Sequence, residues 1–351
     1  MTSELLASIR KRLSWTAARP LMAKCGVPIG HGWDKTIDRV QKDRPKCDTE
    51  GLERILLDSA LCANKYTQLF PLSDEQRDQW QTRLSRVEIE PSKASEAFPK
   101  LLSEEEVVNL GTNLTPIHLH RSDDGLGLVL TANYPMRRRE EIPIEALEGL
   151  SDRFDEIHGV IIGPVQVFAV LWVPHHRDQL ELRVDYPRGM QQDDLMGLSS
   201  QLATYAKSLN VAELGQPIDL FPAVRRFYDD KTEGRVIEMN FVTTTGGQKN
   251  EKILRRMGTV DQRSEAYHVG GRKALSEDIK IYRVHVEWLI VEDETRYLPS
   301  LFLSAAGPSG SGPNGNPKIT GATIGGCSRA AEYEFVIDKL GQKAQLNNPR
   351  S

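Results

Sequence analysis

The sequence is poor in the features that announce a function. Its four cysteines, Cys25, Cys47, Cys62 and Cys327, include no Cys-x-x-Cys pair. That argues against a zinc ribbon or a disulfide framework and fits a reducing compartment. The longest apolar run, Val165 to Val173, is interrupted by Gln166 and has the length of a strand; a membrane span needs about 18 apolar residues. Arg10, Lys11 and Arg12 are not followed by an apolar segment, so no secretory signal is expected and the chain is assigned to the cytoplasm, away from membranes. Neither the GxxxxGK[ST] phosphate loop nor the GxSxG nucleophile elbow occurs. Aromatics amount to only 7%, too few for an extended base-stacking platform. The formal net charge is −4, which gives no whole-molecule attraction to nucleic acid.

What is present is an ordinary globular composition. Of 351 residues, 39% are hydrophobic and 27% charged, enough to bury a core without metals or disulfides. At about 150 residues per domain the length suits roughly two domains. The charge is segregated. Residues 1–46 carry ten Lys/Arg against four Asp/Glu, net +6, and residues 225–273 carry eleven against seven, net +4, which leaves −14 on the remainder. An anionic partner would meet these two segments first.

Residues 1–90 read as helical, because Leu52, Ile55, Leu56, Leu61 and Leu69 recur at three and four. Gly26 to Gly32 separates a basic arm from a helix starting near Trp33. Ser73, with Gln76 three residues on, predicts a capping box for a helix through Trp80 and Leu84. Residues 91–112, with Pro91 and Pro99 near the start, read as a linker region. From there the period is two: Thr115–Arg121 and Leu126–Tyr134 predict a hairpin, and Gly159–Val173 and Leu180–Tyr186 predict another around His175-His-Arg-Asp178. Helices are expected at about 144–153, 193–209 and 221–228. Asn133-Tyr-Pro135 and Asp185-Tyr-Pro187 lie 52 residues apart and suggest two β-β-α units whose helices cover one face of a sheet. A strand over 234–243, a helix from Gly246-Gly247 to Met257 and strands near 267–273 and 279–291 follow. Gly307–Gly326 holds seven glycines and reads as a loop. The fold class expected is α+β: a helical module (1–90), the linker region (91–112) and a mainly antiparallel sheet body with covering helices (113–345), divisible at about 210–215.

The best candidate site is anion-binding. A helix opened by Gly246 and Gly247 would offer free N–H groups and place Lys249, Lys252 and Arg256 on one face, beside Arg255, Arg225, Arg226 and Arg235. The same residues also suit a solvated basic helix paired with acids of this chain. Trp33, with Arg10, Lys11 and Arg12, is the candidate partner contact; internal packing is the alternative. His118 and His120, two apart on a strand, with Asp123 and Asp124 in the turn, form a weak metal candidate. Glu181 with Asp185, and Glu233 with Glu238, lack the lysine two residues on that a nuclease needs, since Arg183 and Asn240 stand there. His285 and Glu287 lack the Cys-x-x-Cys of zinc deaminases.

The reading these residues support is a non-enzymatic cytosolic binding subunit. It would contact nucleic acid or an acidic protein through 1–46 and 225–273, with no cofactor. One alternative is a metal-dependent hydrolase or phosphoryl-transfer enzyme. The other is a structural component of a multiprotein assembly, such as bacterial antiviral operons encode.

Overall fold

The computed structural model describes residues 2–142, 158–211, 213–254, 258–307 and 317–344. Four helices come first: α1 (Thr2–Arg12), α2 (Trp15–Lys24), α3 (Gly32–Asp43) and α4 (Thr49–Cys62). Their apolar faces, including Leu5, Leu6, Ile9, Met22, Leu52 and Leu56, close a core of their own. Ser14 and Asp48 cap α2 and α4 by accepting from the N–H groups of Ala17 and Gly51, as short polar side chains do at helix starts.

The helical reading fails at residues 65–71, which form strand β1 (Lys65–Pro71). Asn64 stands at φ 42° and stops the helical path, and Tyr66 and Thr67 favour extended backbone. Next come α5 (Asp74–Ser85), with the expected Ser73–Gln76 capping box, and two short helices in the expected linker region, α6 (Lys93–Ala97) and α7 (Glu104–Val108). The hairpin strands β2 (Thr115–Arg121), β3 (Gly125–Glu141), β4 (His158–Pro174) and β5 (Gln179–Asp185) precede α8 (Gln192–Ser208) and α9 (Phe221–Asp229). The helix expected at 144–153 falls outside the described residues.

The remaining elements are β6 (Arg235–Val242), β7 (Gln248–Lys252), α10 (Ala266–Lys273), β8 (Lys280–Glu287), β9 (Ile290–Glu292), β10 (Thr295–Tyr297), β11 (Ser300–Ser304), β12 (Ala322–Gly325) and α11 (Ala330–Ala344). Three expectations are corrected here. Gly246-Gly247 turns a hairpin into β7 instead of opening a helix: Gly246 takes φ 82°, and Thr243 N donates to Gly247 O at 3.0 Å. The expected strand at 267–273 is α10, whose first turn is capped by the Glu265 carboxylate accepting from His268 N. Within the expected loop, residues 322–325 are strand. Residues 308–316 lie outside the described set.

The strand order is β2-β3-β4-β5-β1-β12-β11-β8-β6-β7, antiparallel at every pairing; β9 and β10 form a separate hairpin. β1 joins the two halves, pairing with β5 on one side and β12 on the other. Helices cover both faces, not one. On the first face, residues of α4, α6, α7, α9 and α11 pack in one core with Phe168, Val170, Val284 and Leu301. On the second, α5 and α8 cover Leu128, Leu130, Ala169 and Leu182. The alternation in β3, β4 and β5 is what feeds two cores at once. Among the described residues no helix is long and apolar enough to cross a membrane.

Candidate functional site

The residues singled out by sequence go to separate places. Arg225 pairs with Asp229 at 2.7 Å and with Asp278, Arg226 donates to the Lys343 carbonyl at 2.6 Å, and Arg235 pairs with Glu287. The helix that was to align Lys249, Lys252 and Arg256 is absent. In β7 the two lysines are three apart and so point to opposite faces, Lys252 meeting Glu238 at 2.5 Å. Lys249 is exposed. Arg255 and Arg256 lie outside the described residues. A strand of Gln, Lys, Asn and Glu at the sheet's edge has a physical rationale of its own, since charge on an edge discourages pairing with other chains.

Trp33 packs edge-on against Trp15 at 5.3 Å, within the N-terminal core. Arg10 pairs with Asp34 at 2.6 Å. His118 stacks on Phe98 and His120 on Trp172, and burial lowers both imidazoles from their ordinary value. Asp123 and Asp124 are exposed turn residues. Among the described residues no group of three or more His, Cys, Asp or Glu is placed to hold a metal. Glu181 is enclosed by Arg177 at 2.9 Å and Arg183 at 3.0 Å, and Arg183 is itself sandwiched between the Trp172 and Tyr333 rings.

Lys11 and Arg12 do meet something further. They line a cleft of about 390 Å³ between α1, α7, β4 and the exit of β5, together with Asn64, Leu102, Val165, Gln166, Asp185 and Arg188. Its floor is built by register. Lys65 and Asp185 are direct partners across β1 and β5, so both side chains leave the same face. The ladder between β4 and β5 stops at Ala169 and Val184, leaving the outward N–H of Phe168 to donate to Asp185 Oδ2 at 2.8 Å. Arg12 descends from α1 and donates to Asp185 Oδ2 at 2.5 Å and Oδ1 at 3.0 Å, and to the Ser59 carbonyl at 2.7 Å. Lys65 Nζ donates to Asp185 Oδ1 at 2.6 Å.

These three groups are almost wholly enclosed, with side-chain exposures of 11% for Arg12, 0% for Lys65 and 4% for Asp185. Burial alone would raise the Asp185 carboxyl, but Arg12 and Lys65 outweigh it and hold it below its usual value. Burial lowers Lys65 to about 8, Arg12 adding to the effect and Asp185 opposing it. Two cations thus share one carboxylate. At the mouth, Lys11 lies 3.9 Å from Glu104, and Arg188 is exposed. The walls are apolar: Leu101, Val107, Met136 and Pro164.

A second buried polar chain also escaped the sequence reading. Glu251 meets His268 Nδ1 at 2.7 Å, and His268 Nε2 meets the Tyr228 hydroxyl at 2.8 Å. Arg272 donates to that hydroxyl at 2.9 Å. The first cluster joins Arg12, Lys65 and Asp185, which are far apart in sequence, and the second joins β7, α9 and α10 at one end of the sheet; no local pattern marks either. Comparison with known proteins returns no match among family models, curated proteins or solved structures.

Proposed function

We propose that this chain is a binding protein whose cleft receives an acidic segment of a partner protein, a carboxylate entering above Arg12 while neighbouring apolar side chains rest on the walls. The observation that carries this reading is the imbalance beneath the cleft: Lys65 and Arg12 are both buried against the single carboxylate of Asp185. An uncompensated buried cation is costly, and an incoming anion relieves that cost. At the mouth, exposed Arg188 and Lys11 outnumber the one acid there, Glu104, so the same sign of potential steers an anion inward. The apolar walls and the small volume favour a peptide carboxylate over the broad phosphate surface of a duplex.

Binding is favoured over turnover because Asp185 already accepts four hydrogen bonds, from Arg12 twice, Lys65 and Phe168. A carboxylate so occupied has no lone pair free to take a substrate proton.

Fluorescence anisotropy with a labelled peptide of alternating Glu and Leu, and with a generic duplex, tests this at low and raised salt. The peptide is expected to bind in a salt-sensitive way. K11A/R188A, which removes both cations at the mouth, is expected to weaken it several-fold and to flatten its salt dependence. Absence of peptide binding at low salt, or indifference to K11A/R188A, overturns the proposal. Tighter binding of the duplex through the same two residues replaces it with a nucleic-acid reading.

A further inference from the structure

Past their pairing with β2 and β5, β3 and β4 continue together as a two-stranded ribbon, packed at its root and exposed beyond it. The last β3 residue paired to β2 is Thr131, and the β4 residue nearest the ribbon that pairs with β5 is Ala169. From Ala132 to Glu141 and from His158 to Phe168 the two strands have only each other as ladder partners among the described residues. Pro135 and Pro164 face one another at its root. Proline offers no N–H, so neighbouring strands cannot extend across that point.

Past the proline pair, β4 reads Gly159-Val-Ile-Ile-Gly163. Val160 is 67% exposed, Ile161 41% and Ile162 66%. Because alternate side chains leave opposite faces, β4 shows aliphatic surface on both faces here and, among the described residues, a hydrogen-bonding edge without a ladder partner. Proteins normally guard such edges with charge, a bulge or a covering element. Here β7, at the far edge of the sheet, carries Lys and Glu, whereas this β-branched segment carries none.

We infer that the β4 ribbon edge pairs antiparallel with the same edge of a second copy of this chain, around a two-fold axis at Ile161. The segment is self-complementary in that arrangement. Val160 falls opposite Ile162 of the other copy, Ile161 opposite itself and Gly159 opposite Gly163, so apolar meets apolar on both faces and no like charges are opposed. A β-branched edge is also a strong strand-pairing surface. Five residues span only about 17 Å at about 3.3–3.4 Å each. Stable dimers bury about 800 Å² per partner, more than this edge provides alone, so the dimer is reversible and concentration-dependent. This inference does not rest on the cleft.

Sedimentation velocity of the full chain over a wide concentration series is the test. The wild-type chain is expected to shift from monomer to dimer as concentration rises. V160K/I162K places lysine opposite lysine twice and is expected to weaken dimerisation at least about tenfold. V160K/I162E places opposite charges at the same two contacts and is expected to restore it. Both variants lie outside the three cores, so their thermal melts should match the wild type. A wild-type monomer at every concentration overturns the inference. So does a dimer that V160K/I162K leaves intact, or one that V160K/I162E fails to restore when its melt is unchanged.

Discussion

Lys65 is the residue on which the central chemistry turns. A fully buried lysine remains charged in a protein only when carboxylate and carbonyl oxygens replace its water; here Asp185 and the Phe168 carbonyl do so. Its folded value near 8 lies below its ordinary 10.5, so between these two pH values the unfolded chain holds a proton that the folded chain has released. Stability contributed by this group therefore rises as pH increases from about 8 to 10.5, and below 8 its burial is a standing cost. Denaturant melts across that window should show the rise in the wild type and a flatter profile in K65M. The same substitution leaves Asp185 paired with Arg12 alone and removes the excess cation, so anion binding in the cleft should weaken with it.

At the scale of elements, the Gly-rich tract before α11 is instructive. Composition suggests a loop, because glycine loses much entropy on ordering. Part of the tract is nonetheless β12, and its glycines serve close approach. A Cβ on Gly321 would lie 2.3 Å from the Tyr66 ring, and one on Gly326, at φ 70°, would lie 2.1 Å from the Leu298 carbonyl oxygen. Backbone cannot yield as a flexible side chain can. G326A is therefore expected to cost about 2 kcal/mol or more, read as a lower urea midpoint with unchanged m-value. A substitution within ±0.5 kcal/mol would mean the tract is not packed as described.

For the whole molecule, β1 is decisive. It lies within residues 1–90, yet among the described residues it is the strand that bridges β5 and β12, the innermost strands of the two sheet halves. A chain begun at residue 91 would leave both inner edges unpaired and Tyr66, Leu69 and Phe70 missing from the two cores. Such a fragment is expected to lack a cooperative unfolding transition, while the full chain melts cooperatively. A soluble fragment with a sharp melt would contradict the bridging role of β1.

Several elements were legible without coordinates because their signals are local. The Ser73–Gln76 cap, the β2–β3 hairpin around Ser122–Gly125 and the alternation along β4 and β5 depend on neighbours a few residues away. The basic helix after Gly246 and the helical reading of Lys65–Pro71 went astray because short segments satisfy more than one period, and position in the sheet decides between them. The site was less legible still. Lys11 and Arg12 were visible as part of a basic arm, but nothing local ties Arg12 to Asp185, 173 residues away, or Asp185 to Lys65. Composition and spacing determined the α+β class, most of the strands and the paucity of recognisable catalytic motifs. Tertiary structure alone decided which charges cancel, because strand register and burial, not sequence distance, set the strength of an electrostatic contact. By pairing Arg10, Arg225, Arg235 and Lys252 with carboxylates of this chain and leaving two cations on one carboxylate at Asp185, it moved the point of interest from the sequence's basic runs to a single buried cluster.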